Sequence, residues 1–232
     1  MNIVITGSSR GIGFELMKKF ISVPNKQYTV YSLSRNIKEQ SQLSKLHENL
    51  CPIKCDITNL AELENALGLI KQKCKTIDII INNAGLLLNK PFLEINSQEI
   101  DDVFNTNFKS PFFIIKQLFS ELNNSEIAHI VNISSMGGFQ GAQKFSGLSV
   151  YSSSKAALAC LSECLAAEFK ATPIKINTLC IGAVQTEMLT EAFPDYVAPV
   201  SASQMAEFIF NFALNNYKLM NGMIIPVALS TP

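Results

Sequence analysis

Apolar residues recur along the chain in two alternating rhythms. Short β-branched or alternating runs at Ile3-Val4-Ile5, Tyr28 to Leu33, Pro52 to Cys55, Ile77 to Ile81, Ile127 to Ser134 and Ile174 to Ile181 read as strands. Between them lie stretches at helical spacing: Phe14 to Phe20, about Ile37 to His47, Leu60 to Cys74, Gln98 to Leu122 and Val150 to Lys170. In the fourth of these the apolar positions are Val103, Phe104, Phe108, Phe112, Ile115, Leu118 and Phe119, and Pro111 is expected to kink the helix. The stretch from about Gly182 to Ser201 has few regular signals, as a mobile substrate lid would show, and a last helix and strand follow it. Strands and helices alternate without a linker or repeat, which predicts one domain over residues 1–232. Its expected form is a doubly wound parallel α/β sheet of about seven strands with helices on both faces. Ligands of such sheets bind beyond the carboxyl ends of the strands, so the loops there are where chemistry is expected.

The first such loop is Thr6-Gly7-Ser8-Ser9-Arg10-Gly11-Ile12-Gly13. Glycines let backbone approach a pyrophosphate closely, and the helix that follows offers unpaired N–H groups and the positive end of its dipole. The spacing Gly-x3-Gly-x-Gly differs from the commoner dinucleotide fingerprint, but the mechanical need is the same. Further loops carry Asn82-Asn83-Ala84-Gly85, Asn105-Thr106-Asn107, Ile133-Ser134-Ser135 and Gly182 to Thr186. Tyr151 and Lys155, four apart at the start of a helix, face the same side, so an ammonium can lie beside a phenol.

Composition narrows the partners. Hydrophobic residues make up 47% and charged residues 16%, which suits a large core. Nineteen basic and nineteen acidic side chains cancel, so the footprint of a nucleic-acid binder is missing. Apolar runs fall short of the roughly 20 residues a membrane span needs. Strand character begins at residue 2, so no leader is expected and the reading is cytoplasmic. Six scattered cysteines read as reduced core thiols; Cys160 and Cys164 are four apart, but no further ligand accompanies them and no metal is expected.

Together these motifs, in this order and at strand ends, identify the chain as similar to the short-chain dehydrogenase/reductase family over nearly its whole length. The resemblance implies a Rossmann-like fold and an oxidoreductase that moves a hydride between a nicotinamide cofactor and a carbonyl or alcohol. It implies that Ser135 orients the substrate oxygen and Tyr151 exchanges a proton with it. Lys155 would hold the nicotinamide ribose and depress the Tyr151 pKa, and Asn107 would support a water in the proton relay. Gly7, Ser9, Arg10, Gly11, Ile12 and Gly13 would cradle the cofactor, with Asp56 and Ile57 at the adenine and Asn83, Ala84 and Gly85 beneath its ribose. Gly182, Val184 and Thr186 match the family's Pro-Gly-x-Val-x-Thr segment and would also contact the cofactor. A tyrosine titrates near ~10, so exchange near neutrality asks for a shift of roughly 3 units. A neighbouring cation supplies about 1 to 3, and an oxidised nicotinamide ring the remainder.

Three departures stand out. Ile181 replaces a family proline, the interval from Ser135 to Tyr151 spans sixteen positions and enlarges the loop over the substrate, and the last strand lacks the frequent glycine pair after it. Leu86, Leu87, Leu88, Phe139, Phe145, Leu148, Met188, Leu189, Phe193 and Tyr196 lie in loops expected to line the substrate site and hint at a hydrophobic carbonyl compound. At the end of the second strand, where an NAD-preferring site carries a carboxylate, stands Ser34, followed by Arg35. With Arg10 it would close on a 2′-phosphate, so NADP(H) is expected in preference to NAD(H). Apolar helix surface at Phe112 to Ile115 and Ala156 to Ala159 leads us to expect a homodimer or homotetramer. The rival reading is a non-catalytic NADP(H)-binding sensor of the same fold, which would be expected to lose Tyr151, Lys155 or Ser135; all three are present.

Overall fold

A computed structural model describes residues 1–229; the last three positions of the expected domain lie outside the described residues. In chain order the elements are β1 (Asn2–Thr6), α1 (Gly11–Ile21), β2 (Thr29–Ser34), α2 (Lys38–Leu43), β3 (Leu50–Lys54), α3 (Leu60–Lys73) and β4 (Ile79–Asn82). There follow α4 (Ser97–Phe104), α5 (Ser110–Gln117), α6 (Phe119–Asn123), β5 (Ala128–Ser135), α7 (Ser149–Glu168) and β6 (Ile174–Ile181). The chain ends with β7 (Val184–Gln185), α8 (Glu187–Ala192), β8 (Val200–Ser201), α9 (Ala202–Asn215) and β9 (Ile224–Val227).

Among the described residues, seven strands form one sheet in the order β3-β2-β1-β4-β5-β6-β9, parallel at every pairing. Burial on both faces explains the isoleucine-rich strands: Ile3, Ile5, Ile79 and Ile81 pack against α1 and α9, while Val4, Ile80, Ile130 and Ile176 pack against α3 and α5. Leu16, Met17 and Phe20 of α1 are fully buried, each contributing about 1.5 to 3 kcal/mol. Side chains start the helices where the sequence allows: Asn59 caps α3, and Asn96 with Glu99 closes a capping box on α4. Winding reverses between β1 and β4, so the glycine turn and the loop after β4 lie side by side at the switch point.

The elements correct three expectations. The second helix is only Lys38–Leu43. The segment expected as one kinked helix from Gln98 to Leu122 is divided into α4, a wide π turn at Asn105–Lys109, α5 and α6, so the break precedes Pro111, which sits in the first turn of α5. Of the apolar residues expected to form its stripe, Val103, Ile115 and Leu118 are buried, but Phe112 is 36% exposed. The stretch after β6 is ordered: β7 pairs with β8 and α8 lies between them. Two-residue strands and a six-residue helix are too short to leave a periodic signal. No helix among the described residues is long and apolar enough to cross a membrane.

Candidate active site

The glycine turn is shaped by close approach. Gly7 and Gly11 hold φ of 68° and 57°, which side chains rarely adopt. A Cβ on Gly7 would meet the Ala84 Cα at 2.7 Å, and one on Gly13 would meet the Gly7 carbonyl oxygen at 2.4 Å. The Asn83 amide donates to the carbonyls of Thr6 and Gly7 at 3.0 and 3.1 Å, and the N–H groups of Asn83 and Ala84 donate to Thr6 Oγ1. No side chain caps α1, so Gly11, Ile12 and Gly13 present first-turn N–H groups without intrahelical acceptors. Bare backbone at a helix start, with no room for side chains, fits a pyrophosphate.

The adenosine end is less settled by charge. Ser34 is buried; its hydroxyl donates to Asn36 O and accepts from the Gln40 amide, so no carboxylate stands at the end of β2. Arg35 is exposed beside it. Arg10 is engaged by Glu191 of α8, a pairing that holds the guanidinium pKa up. Of the two arginines expected to converge, Arg10 is thus drawn toward α8. Ser9, Arg10 and Gly11 line an open groove of about 740 Å³, which also carries Glu15, Glu39, Glu187 and Glu191. Asp56 binds Thr58 through its N–H and hydroxyl, and Ile57 is buried with its carbonyl taking the Ser110 hydroxyl.

Ser135, Tyr151, Lys155 and Asn107 are brought together by β5, α7 and the π turn. Gly85 marks the meeting point: a Cβ there would lie 3.4 Å from Lys155 Nζ and 3.5 Å from Asn107 Oδ1. The Ser135 hydroxyl oxygen accepts the Gly137 N–H at 3.1 Å, and the Ser135 side chain lies near enough to the Tyr151 phenol to act on its pKa. Burial raises the Tyr151 pKa and the Ser135 contact opposes it. Lys155 is buried, with its pKa lowered by desolvation to about 8, and its ammonium donates to the Ile133 carbonyl at 2.8 Å. That ammonium is 5.9 Å from the centre of the Tyr151 ring, so in this arrangement desolvation, and not Lys155, sets the direction of the phenol's shift. Asn107 is fully buried and both its N–H donors are engaged, one by Leu86 O and one by Ser154 Oγ. Its amide, whose Oδ1 also accepts the Leu86 N–H, thus holds the chain after Gly85 to the start of α7; a water in a relay would have to meet Oδ1 or the backbone, since no amide N–H is left.

Other residues that fix this geometry were not singled out from the sequence. Ser134 Oγ donates to the Lys155 carbonyl, Ser154 Oγ to that of Tyr151, and a Cβ on Gly138 would meet the backbone of Lys155 and Ala156 at 2.7 Å. Two turns further along, Ser162 accepts from the Asn132 amide and the Thr178 hydroxyl. Ser154 and Ser162 stand eight apart on the buried face of α7, and polar residues inside an apolar stripe were the available signal.

Gly182, Val184 and Thr186 continue from β6 under the lid. Ile181 extends β6, pairing with Ser135 on one side and Val227 on the other. Gly182 leaves room for Ala228, whose Cβ would lie 2.8 Å from a side chain there, and Thr186 caps α8. The lid is tied down by Arg10 to Glu191, by the Asn89 amide to Ala192 O, and by Gln185 Oε1 accepting from Ala198 N–H. Beneath it a cavity of about 550 Å³ is lined by Ser135, Tyr151 and seven of the ten expected apolar loop residues; Leu86, Leu88 and Phe139 are not among them. No group of three or more His, Cys, Asp or Glu that could hold a metal occurs among the described residues.

Known proteins share this plan. Oxidoreductase asL5 of Sarocladium schorii is 30% identical over 201 residues, 87% of this chain and 79% of its own length. A solved 4-hydroxyisoleucine dehydrogenase mutant, complexed with NADH and succinate, matches with a TM-score of 0.87 at 23% identity, over 98% of this chain and 97% of that one. ElxO with NADP bound matches with a TM-score of 0.84 at 25% identity, over 98% and 96%. The family model described as short chain dehydrogenase matches residues 1–197, and with it the chain belongs to the short-chain dehydrogenase/reductase family of oxidoreductases.

Proposed function

We propose that this oxidoreductase reduces a small carbonyl compound to the alcohol, with NADP(H) as cofactor and Tyr151 as the acid. The observation that carries it is the convergence of Ser135, Tyr151, Lys155 and Asn107 around Gly85, at the carboxyl ends of β4 and β5. A bound nicotinamide supplies the hydride. Ser135, whose oxygen accepts the Gly137 N–H, would donate its hydroxyl proton to the substrate oxygen once the substrate is bound. Tyr151 then gives its phenolic proton to that oxygen as the carbonyl carbon is reduced. A phenol is protonated at neutral pH and so can serve as the acid in the reductive direction. Lys155, kept by Ile133 beneath the phenol, is the cation that would hold the nicotinamide ribose and steady the phenolate left behind. Glycine backbone at Gly7, Gly11 and Gly13 would take the pyrophosphate, and Asp56 with Ile57 the adenine.

NADP(H) is preferred over NAD(H) on the strength of Ser34 and Arg35: nothing anionic at the end of β2 repels a 2′-phosphate, and a guanidinium adjoins it. A second copy of the chain is the proposed partner, since Ala156, Cys160 and Cys164 of α7 and Ile100 and Phe112 of the preceding helices are exposed. The test is Tyr151→Phe. Turnover of any accepted carbonyl should fall by at least about 10² while NADPH affinity by titration calorimetry holds, because positioned acids contribute about 10² to 10⁴. Retained turnover would refute the assignment.

A further inference from the structure

Charge is distributed unevenly over the two openings. The groove at the glycine turn carries Arg10 and four glutamates. The 550 Å³ cavity beyond Ser135 and Tyr151 has no charged side chain among its described lining residues. Its lid supplies Met188, Leu189 and Phe193, and Phe145 and Leu148 come from the long loop before α7. Polar side chains in its wall are Ser135, Tyr151, Thr186 and Tyr196. Thr186 is engaged by the Leu189 N–H, which leaves the Tyr196 phenol, 48% exposed, for a substituent remote from the carbonyl.

Neighbouring cations are committed elsewhere. Lys144, in the same long loop, donates to the carbonyls of Gly137 and Phe139 at 2.8 and 2.6 Å. Lys155 donates to Ile133, and Arg10 is held by Glu191. A carboxylate, phosphate or ammonium carried into this cavity would give up part of its water and find no opposite charge among the lining residues; Lys144 keeps its charge on neutral carbonyls but is not one of them, so entry is unfavourable. Volume sets a second bound: Ile12, Gly182, Val184 and Thr186, expected to touch the cofactor, also line this space, so the substrate has only part of the 550 Å³, which suits a small molecule.

Resting on the carbonyl-reductase reading above, we propose that the substrate is an uncharged, largely apolar ketone or aldehyde, and that Met188, Leu189 and Phe193 form the wall that rejects ionised analogues. The matched compounds are methyl para-acetylbenzoate and para-acetylbenzoate, which differ by one buried charge at nearly constant shape. With the full chain and NADPH, kcat/KM for the ester should exceed that for the acid by at least about a hundredfold; a smaller ratio overturns the proposal. In Met188→Arg the ratio should shift toward the acid by at least about tenfold, as a cation now faces the cavity; an unchanged ratio counts against Met188 as part of the wall. If neither compound is turned over, displacement of the neutral dye Nile red from the protein decides. Displacement by the ester alone supports the uncharged class, equal displacement by both overturns it, and absence of turnover across a wider carbonyl panel refutes the reductase reading separately.

Discussion

Strand β5 buries every residue from Ala128 to Ser134, whereas α8 of the lid, facing the same cavity, has no buried residue. Along β5 and α7 polar groups are paired in the interior: Asn132 with Ser162, Ser134 with the Lys155 carbonyl, His129 with Ala213 O and Asn177. The lid is held by contacts at its rim, chiefly an exposed ion pair to Arg10. Buried hydrogen bonds are expensive to break and fix one geometry, while exposed ion pairs contribute little and exchange readily. Groups proposed to move the proton therefore sit on the part of the molecule that cannot shift, and groups proposed to choose the substrate on the part that can.

Acid should break the interior first. His129 is fully buried with its pKa lowered to about 4, against an ordinary 6.5, by loss of solvent. The unfolded chain binds this proton more tightly, so the stability due to neutral His129 is complete above pH 6.5 and lost as pH falls toward 4. That loss is about 3 kcal/mol. It should appear as a fall in the urea midpoint of the wild type over this window that His129→Gln does not share; parallel curves would count against it.

Ser162→Ala should come next. It strands the Asn132 amide and the Thr178 hydroxyl in the interior, at about 1 to 3 kcal/mol of stability by equilibrium unfolding. Because α7 also carries Tyr151 and Lys155, kcat should fall more than KM rises; an unchanged kcat would show that the network only holds the fold together.

The smallest effect belongs to the lid. Glu191→Gln releases Arg10, so NADPH should bind about twofold to fivefold more tightly, with NADH nearly unchanged and the unfolding midpoint unmoved. Equal changes for both cofactors would mean that Arg10 does not meet the 2′-phosphate.

The same division governs what could be read from the chain. Parallel order, the strand-end loops and the pairing of Tyr151 with Lys155 were legible because β-branched runs, glycine turns and a four-residue spacing are local signals, whereas Ser135 joined them only through the family resemblance. The engagement of Arg10 by Glu191 was not, since the two are far apart in sequence and nothing local ties them. Nor was the direction of the Tyr151 shift: it depends on how deeply the phenol and Lys155 are buried, which only the packed structure sets.

The wide turn at Asn105–Lys109 also fixes rotational phase. From Val103 to Leu122 the inward positions run through Asn107, Pro111, Ile114 or Ile115, and Leu118, so 19 residues make five turns. A regular helix would use about 18. The surplus residue is what lets a hydrogen-bonding amide occupy a place in an otherwise apolar row while helix on either side still faces the sheet. Removing one residue between Phe104 and Lys109 would rotate one half against the other by about 100°, so the segment's length is constrained even where its side chains are not.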